Sequence, residues 1–162
     1  MIVAEALLRG LRPILSGRNA AEVNALAALH QLESRPASLD DPRALDAALA
    51  GCTAVIHCAG PFSRTTKAMV DACLRNKAHY LDITGEIGVF EGTAARSAEA
   101  ERAGVMLMPG VGFDVVPSDC LAAHLNRQLP SARWLTPAFF AGPGFWLGSA
   151  PTTRENSIRG GA

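Results

Sequence analysis

The chain has 162 residues, of which 49% are hydrophobic and 19% are charged. This length is enough for about one domain with a buried core, and the composition is typical of a globular protein rather than a disordered one. Fifteen basic and fifteen acidic residues give a formal net charge of +0. No net electrostatic field therefore draws the protein toward nucleic acid or toward acidic membranes, and we expect neither as a partner.

The four cysteines, Cys52, Cys58, Cys73 and Cys120, include no C-x-x-C pair and have no histidine at ligand spacing, so the sequence predicts no metal site. All four lie in apolar stretches, where a buried free thiol is the common state. A chain of this length needs no disulfide framework, which favours a reducing compartment. The first residues do not resemble a signal peptide, and no stretch resembles a membrane helix. We therefore expect a cytoplasmic protein without membrane insertion.

Short apolar runs alternate with helical patterns along the chain, which is typical of βαβ units around a parallel sheet. The predicted elements, in chain order, are a helix that ends at Gly10, a short strand at 13–16, helices over 20–32 and 42–51, a strand at 53–58, a helix over 65–76, a strand at 79–83, a charged helix over 87–103, a strand at 105–108 and a helix from 117 to 130. The run at 53–58 is apolar on both faces, as expected of a central strand.

Ligands of an open parallel sheet bind beyond the carboxyl ends of its strands, so the candidate loops are 17–19, 58–62, 82–86 and 110–114. Arg18 follows the strand predicted at 13–16, where a dinucleotide fold meets the adenosine ribose. A guanidinium at that place suits the 2′-phosphate of NADP. A solvated arginine in a turn is the alternative, and the local sequence leaves both interpretations open.

The other loops also carry two interpretations. Cys58–Pro61 is a turn of small residues that lets the backbone approach a flat cofactor, and it is equally compatible with an ordinary β-to-α connection. Asp82, Glu86 and Asp114 are carboxylates suited to orient a substrate or move a proton, although capping of their own loops is the favoured role. His57 lies inside a strand, so we expect a hydrogen-bonded core histidine there rather than a catalytic base.

Three runs together carry a family resemblance, Val55–Phe62 (VIHCAGPF), His79–Glu86 (HYLDITGE) and Pro109–Asp119 (PGVGFDVVPSD). In this order they resemble the saccharopine dehydrogenase-like family, in particular the branch of trans-acting enoyl reductases, from the first helix to about Trp134. The resemblance implies an α/β fold with a Rossmann-like doubly wound parallel sheet. It also implies an NAD(P)-binding domain over residues 1–134, with NADP favoured over NAD, and the start of a substrate domain or a disordered tail over 135–162.

The resemblance also assigns residues to the site. The adenosine-phosphate end of the cofactor would lie against Ser16, Gly17, Arg18 and Asn19. The cofactor would continue toward the nicotinamide along Cys58, Ala59, Gly60, Pro61 and Phe62. Substrate contacts are expected from Asp82, Thr84, Glu86 and Asp114. No catalytic side chain and no metal ligand is assigned.

Two features depart from the family pattern. Met1 already stands inside the first helix, so the family's first strand and its G-x-x-G-x-x-G loop, which brings the pyrophosphate to a helix N-terminus, are not seen. At the other end, Ser157–Gly161 resembles only the start of the substrate domain. We therefore expect an internal piece of a longer enzyme, with cofactor binding and activity impaired.

The expected function is that of the NADP-binding domain of an oxidoreductase. The parent enzyme would transfer hydride between the nicotinamide and a C=C or C=N bond of a small-molecule substrate. The alternative is a non-enzymatic Rossmann-like interaction domain, or an inactive gene fragment, that forms homodimers through exposed sheet edges.

Overall fold

The computed structural model describes residues 2–112 and 115–135. The chain divides into two compact units, residues 1–112 and 113–162. The elements of the first unit are α1 (Ile2–Leu8), α2 (Ala20–His30), α3 (Pro42–Leu49), β1 (Ala54–His57), α4 (Phe62–Asn76), β2 (His79–Asp82), α5 (Ile87–Ala94), α6 (Ser97–Ala103) and β3 (Leu107–Met108). In the second unit, α7 spans Val116–Gln128. Of the described helices, none combines the length and the apolar character that a membrane crossing needs.

The three strands form one parallel sheet in the order β1-β2-β3. Its register aligns Val55 with Tyr80 and Tyr80 with Leu107, so these three residues form a row on one face of the sheet. Val55 and Leu107 pack against the core cluster that includes Tyr80 and residues of α3 and α4. The predicted α/β class with a parallel sheet is confirmed.

The start of α3 follows the sequence prediction. Oδ1 of Asp41 accepts hydrogen bonds from the N–H groups of Arg43 (3.0 Å) and Ala44 (3.1 Å), and Pro42 occupies the first turn of the helix. The aspartate side chain thus satisfies backbone N–H groups of the first turn, and the ring of Pro42 fixes its φ angle at a helical value. Leu45 and Leu49, one turn apart, then enter the core.

The strand predicted at 13–16 is present only as one isolated parallel bridge, between Leu15 and Ser34. Around this bridge the N–H of Leu15 donates to the carbonyl of Glu33, and the N–H of Arg35 donates to the carbonyl of Leu15, both at 2.9 Å. Pro13 has no N–H to extend the ladder. The partner segment escaped prediction because Glu33–Pro36 is polar and ends in proline.

The strand predicted at 53–58 is also corrected. It spans only Ala54–His57, and it lies at an edge of the β1-β2-β3 sheet rather than at its centre. Ile56 is 55% exposed, so the second apolar face of this strand is not buried. The apolar composition indicated a strand with neighbours on both sides, but β2 is the strand that pairs with it within the described residues.

The single helix predicted over 87–103 is two helices, α5 and α6, which are separated at Ala95 and Arg96. Arg96 has φ −94° and ψ 7°, and its guanidinium donates to Asp71 on α4 (2.7 Å) and to Glu99 (2.5 Å). These two carboxylates raise the pKa of the Arg96 guanidinium. The break therefore coincides with an ion-pair network that joins α6 to α4.

The expectation of four buried thiols is wrong for two of them. Cys73 is fully buried, and burial raises the pKa of its thiol to about 12. Cys52 is half-buried, whereas Cys58 and Cys120 are exposed. Cys58 lies just after β1, in a loop that is open to solvent, and α7, which carries Cys120, has no buried residue.

Candidate functional site

Loops 58–61, 83–86 and 109–112 follow the carboxyl ends of β1, β2 and β3, and hydrogen bonds connect all three. Because the strands are parallel, these loops emerge at the same edge of the sheet. In open α/β sheets this edge is where ligands bind. The side chains that join the loops are therefore the framework of the candidate site.

Asp82 anchors the loop after β3 to the end of β2. Its carboxylate is fully buried, and Oδ1 accepts hydrogen bonds from the N–H groups of Thr84 (3.0 Å) and Gly110 (2.8 Å). The carbonyl oxygen of Asp82 accepts a further bond from the N–H of Val111 (2.8 Å). A buried carboxylate is stable only when such donors replace its lost water, so Asp82 is held in place by the loops that it connects.

Tyr80 supplies a third donor to this carboxylate. Its phenol donates to Oδ2 of Asp82 at 2.5 Å, and the hydroxyl oxygen of Thr66 lies 3.2 Å from the phenol oxygen. Burial, together with the hydrogen bond to Asp82, raises the pKa of Tyr80. The phenol therefore stays protonated and keeps its donor role at physiological pH.

Glu86 joins the loop after β2 to the first turn of α4. Its carboxylate accepts hydrogen bonds from the N–H of Phe62 (2.9 Å) and the N–H of Ser63 (3.1 Å). Its own N–H donates to the hydroxyl of Thr84 (3.1 Å). Asp82, Thr84 and Glu86 thus form a continuous set of hydrogen bonds from β2 to α4. This arrangement also explains why α4 begins at Phe62, three residues before its predicted start at Thr65.

His57 supports the turn after β1 from inside the protein. Its Nε2 lies 3.0 Å from the hydroxyl oxygen of Thr65, which donates to the carbonyl of Ala59 at 2.6 Å. Because the one proton of that hydroxyl goes to a carbonyl, Nε2 of His57 is the donor to Thr65. The ring makes an edge contact with Phe62, with centroids 5.6 Å apart. Burial lowers the pKa of His57, although the charge of Asp82 acts in the opposite direction. His57 is buried and hydrogen-bonded, so the prediction of a core histidine is confirmed.

The turn at 58–61 presents small residues to solvent. Cys58, Ala59 and Gly60 are exposed, and the Gly60–Pro61 peptide bond is cis. On the neighbouring loop, a Cβ added to Gly112 would lie 2.8 Å from Cβ of Ile83 and 3.0 Å from its Cα. Only glycine lets the loop after β3 pack this closely against the loop after β2.

Residues 16–19 follow the Leu15–Ser34 bridge. Gly17 accepts a hydrogen bond at its carbonyl from the N–H of Ala37 (3.1 Å), and Oδ1 of Asn19 accepts one from the N–H of Glu22 (3.3 Å) at the start of α2. Ser16 and Arg18 are exposed. Within residues 2–112 and 115–135, the guanidinium of Arg18 has neither a hydrogen bond nor an ion pair. Its charge is therefore available to an anionic ligand.

The structure brings together part of the predicted site. Direct hydrogen bonds join the turn at 58–62 to Glu86, Glu86 to Thr84, and Thr84 to Asp82. No such bond connects this group with residues 16–19 in the part of the chain that the structure describes, and Asp114 lies outside that part. The cofactor and substrate roles of all these residues stay predictions.

The sequence interpretation did not identify Tyr80, Thr65 and Gly110 as parts of this framework. For Tyr80 a signal was present, because Tyr80 and Asp82 are two positions apart on one strand and therefore share a face. Gly110 has φ +78°, which glycine adopts readily, but a sequence does not record backbone angles. The bond from Thr65 to Ala59 spans a turn whose shape is not evident from local composition.

Comparison with known proteins shows related sequences and a related fold. The trans-acting enoyl reductase of Mycobacterium tuberculosis is 30% identical over 122 residues, which are 75% of this chain and 27% of that protein. The saccharopine dehydrogenase-like oxidoreductase of Mus musculus is 34% identical over 97 residues, 59% of this chain and 21% of that protein. The chain thus spans about a quarter of the length of these curated relatives.

Among solved structures, apo saccharopine dehydrogenase (L-Glu forming) from Saccharomyces cerevisiae superposes with a TM-score of 0.63 at 21% identity, over 75% of this chain and 26% of that one. This likeness shows a Rossmann-like dehydrogenase fold. The sequence model of the family described as "Saccharopine dehydrogenase NADP binding domain" matches residues 3–108. This range includes β1, β2, β3 and the loops that connect them. The chain therefore belongs to the family of saccharopine dehydrogenase NADP-binding domains.

Proposed function

We propose that this domain holds NADP along the carboxyl edge of its sheet, within an oxidoreductase that transfers hydride to or from a C=C or C=N bond of a small molecule. The observation that carries the proposal is that hydrogen bonds hold together the segments that follow β1, β2 and β3. The chain that contains them matches an NADP-binding family. When bound, the nicotinamide would supply or accept the hydride. The residues of this chain bind and orient it.

The adenosine end of NADP fits residues 16–19. Arg18 is exposed and makes no internal ion pair within the described residues, so its guanidinium can bind a 2′-phosphate without losing an existing partner. Ser16 is exposed beside it, and Gly17 leaves room for close approach. NAD has no 2′-phosphate, so this arrangement favours NADP over NAD.

The nicotinamide half fits the turn after β1. Cys58, Ala59 and Gly60 are exposed and small, so a flat ring can approach their backbone closely. Phe62 is half-buried and contacts His57, which fixes its ring beside the turn. Asp82 and Thr84 are buried and engaged with backbone groups, so in this proposal they shape the substrate side of the edge by holding its loops.

Fluorescence titration of the full chain with NADPH, and with NADH in parallel, tests the proposal. We expect saturable binding that prefers NADPH. The substitution Arg18→Ala should weaken NADPH binding by about tenfold and leave NADH binding unchanged, because only NADPH carries the phosphate that Arg18 would bind. Arg43→Ala is the matched control, since Arg43 is exposed on α3 and its guanidinium has no partner within the described residues. Absence of binding, or equal affinity for both nucleotides, would contradict the proposal.

The bond that is reduced is tested separately, by NADPH oxidation in the presence of an activated alkene or of an imine. Turnover with either class supports the hydride-transfer proposal. If NADPH binds but neither class is reduced, the domain binds the cofactor without this chemistry.

A second candidate function is an interaction domain that dimerises through the edge of its sheet. The observation in its favour is β1, which lies at an edge of the sheet that the described residues form and carries Ile56 at 55% exposure. Unpaired strand edges with apolar side chains promote association with another chain. Dimers in sedimentation analysis that dissociate on Ile56→Lys, together with no affinity for nucleotides, would favour this function over NADP binding.

We also propose a cytoplasmic location. Cys58 and Cys120 are exposed free thiols, which persist in reducing compartments. Cell fractionation with an antibody against the chain tests the location, and recovery in an organelle fraction would contradict it.

A further inference from the structure

We propose that Glu86 is a positioning residue, which holds the turn at 58–62 in the orientation that the nicotinamide half of the cofactor needs. This inference rests on the proposed binding of NADP. Its basis is a pair of hydrogen bonds that link Glu86 to backbone N–H groups 24 and 23 residues earlier in the chain, those of Phe62 and Ser63.

Glu86 supplies the cap that α4 lacks in its own sequence. Pro61 occupies the N-cap position and has no side-chain group that accepts a hydrogen bond. The first N–H groups of a helix have no partner within the helix, and a negative charge at this end is favourable. Because the two oxygens of Glu86 bind the N–H groups of Phe62 and Ser63, the carboxylate fixes the helix start and the turn that leads into it.

Glu86 is itself held in position from β2. Its N–H donates to the hydroxyl of Thr84, whose N–H donates to the buried carboxylate of Asp82. The side chain of Glu86 is half-buried, and both of its oxygens are engaged. This geometry assigns Glu86 to the placement of α4 and its preceding turn rather than to direct contact with substrate.

The two halves of the cofactor should depend differently on Glu86. NADPH would extend from residues 16–19 to the turn at 58–62, whereas 2′,5′-ADP carries the adenosine and its 2′-phosphate but has no nicotinamide. Loss of the tether from Glu86 should therefore weaken binding of NADPH and leave binding of 2′,5′-ADP unchanged. A general loss of stability would weaken both.

The experiment is calorimetric titration of the full chain and its variants with NADPH and with 2′,5′-ADP. Glu86→Ala should weaken NADPH binding by about tenfold and change 2′,5′-ADP binding by less than about twofold. Glu86→Gln, which keeps one acceptor oxygen, should show a smaller loss and covers the case in which the alanine variant does not fold. Glu91→Gln is the matched control, because Glu91 lies on α5, which begins directly after Glu86, and its exposed carboxylate has no partner within the described residues.

Hydrogen exchange of the Phe62 and Ser63 amides gives an independent readout, and both should exchange faster in the Glu86 variants. Unchanged exchange, or equal losses of affinity for the two nucleotides, would overturn the positioning role. Faster exchange with unchanged NADPH affinity would overturn it as well. The unsubstituted chain alone tests the proposed NADP binding. If it binds neither nucleotide, that proposal is wrong, whatever the variants show.

Discussion

The phenol of Tyr80 donates a hydrogen bond of 2.5 Å to Oδ2 of Asp82, two residues further along β2. Both side chains are 0% exposed, and they share a face of the strand because successive side chains alternate. The pair places a carboxylate inside the protein at the end of the strand, where its other oxygen can bind the backbone of two loops.

Removal of this donor should destabilise the fold. We expect Tyr80→Phe to lower the free energy of unfolding by about 1–3 kcal/mol, because Oδ2 of Asp82 stays buried without the phenol. Urea unfolding followed by circular dichroism measures the change. A loss below about 0.5 kcal/mol would show that another donor or water replaces the phenol.

The close contact at Gly112 predicts opposite effects for two glycine substitutions. Gly112→Ala should lower the free energy of unfolding by about 1–3 kcal/mol, because the new Cβ would lie 2.8 Å from Cβ of Ile83. Gly92→Ala should raise it by about 0.5–1 kcal/mol, because Gly92 lies within α5 and a Cβ there meets nothing within 4 Å. Thermal unfolding of both variants tests the pair, and equal effects would contradict the geometry.

Burial of His57 predicts a pH dependence of stability. Burial lowers the pKa of His57 below its ordinary value of 6.5, so the unfolded chain binds more protons between the two pKa values. The free energy of unfolding should therefore decrease as the pH falls below about 6.5, and this contribution should level off below the pKa of the folded state.

Urea unfolding at several pH values between about 7.5 and 5.5, above the range in which carboxylates titrate, measures this slope. His57→Gln should flatten it, because glutamine does not titrate. His124→Gln is the control, since His124 is exposed on α7. If the slope of unfolding free energy against pH is unchanged in the His57 variant, groups other than His57 cause the pH dependence.

The four thiols should differ in their reaction with iodoacetamide. In the folded chain we expect exposed Cys58 and Cys120 to react before Cys73, which is buried and has a pKa raised to about 12. Although Cys58 is exposed, partial desolvation of its thiol and the nearby charge of Asp82 raise its pKa, so its reaction should be slow compared with that of an unperturbed thiol.

Peptide mass spectrometry after timed alkylation measures each rate. NADPH should protect Cys58, which lies in the proposed nicotinamide turn, but should not protect the half-buried Cys52, which precedes the opposite end of β1. Equal protection of both thiols from alkylation would show that the nucleotide binds elsewhere or that it alters the structure of the whole molecule.

Local pattern was sufficient to predict most elements of the fold. The alternation of apolar runs and helical periods indicated the parallel sheet, and Asp41–Pro42 indicated the start of α3. The isolated bridge between Leu15 and Ser34 was not predicted because Glu33–Pro36 is polar, although its backbone bonds to Leu15. The pairing of a segment of this composition is recognisable only from its partner.

The candidate site was predictable in its loops and unpredictable in its contacts. Parallel topology brought the turn at 58–62 and the loop at 82–86 to one edge, as expected. The bond from Glu86 to Phe62 joins residues that are far apart in the chain, and no local preference records it. The bond from Arg96, at the break between α5 and α6, to Asp71 on α4 was unpredictable for the same reason.

The hydrogen bonds that run from Gly110 through Asp82, Thr84 and Glu86 to Phe62 have a consequence for motion. Opening of the loop after β3 breaks its bonds to Asp82, and opening of the turn after β1 breaks its bonds to Glu86, so we expect the opening of the three loops to be coupled. Their amides should exchange with solvent as one cooperative group. A ligand that stiffens one loop would thereby slow the fluctuations of the other two, and the edge of the sheet would respond to its ligand as a unit.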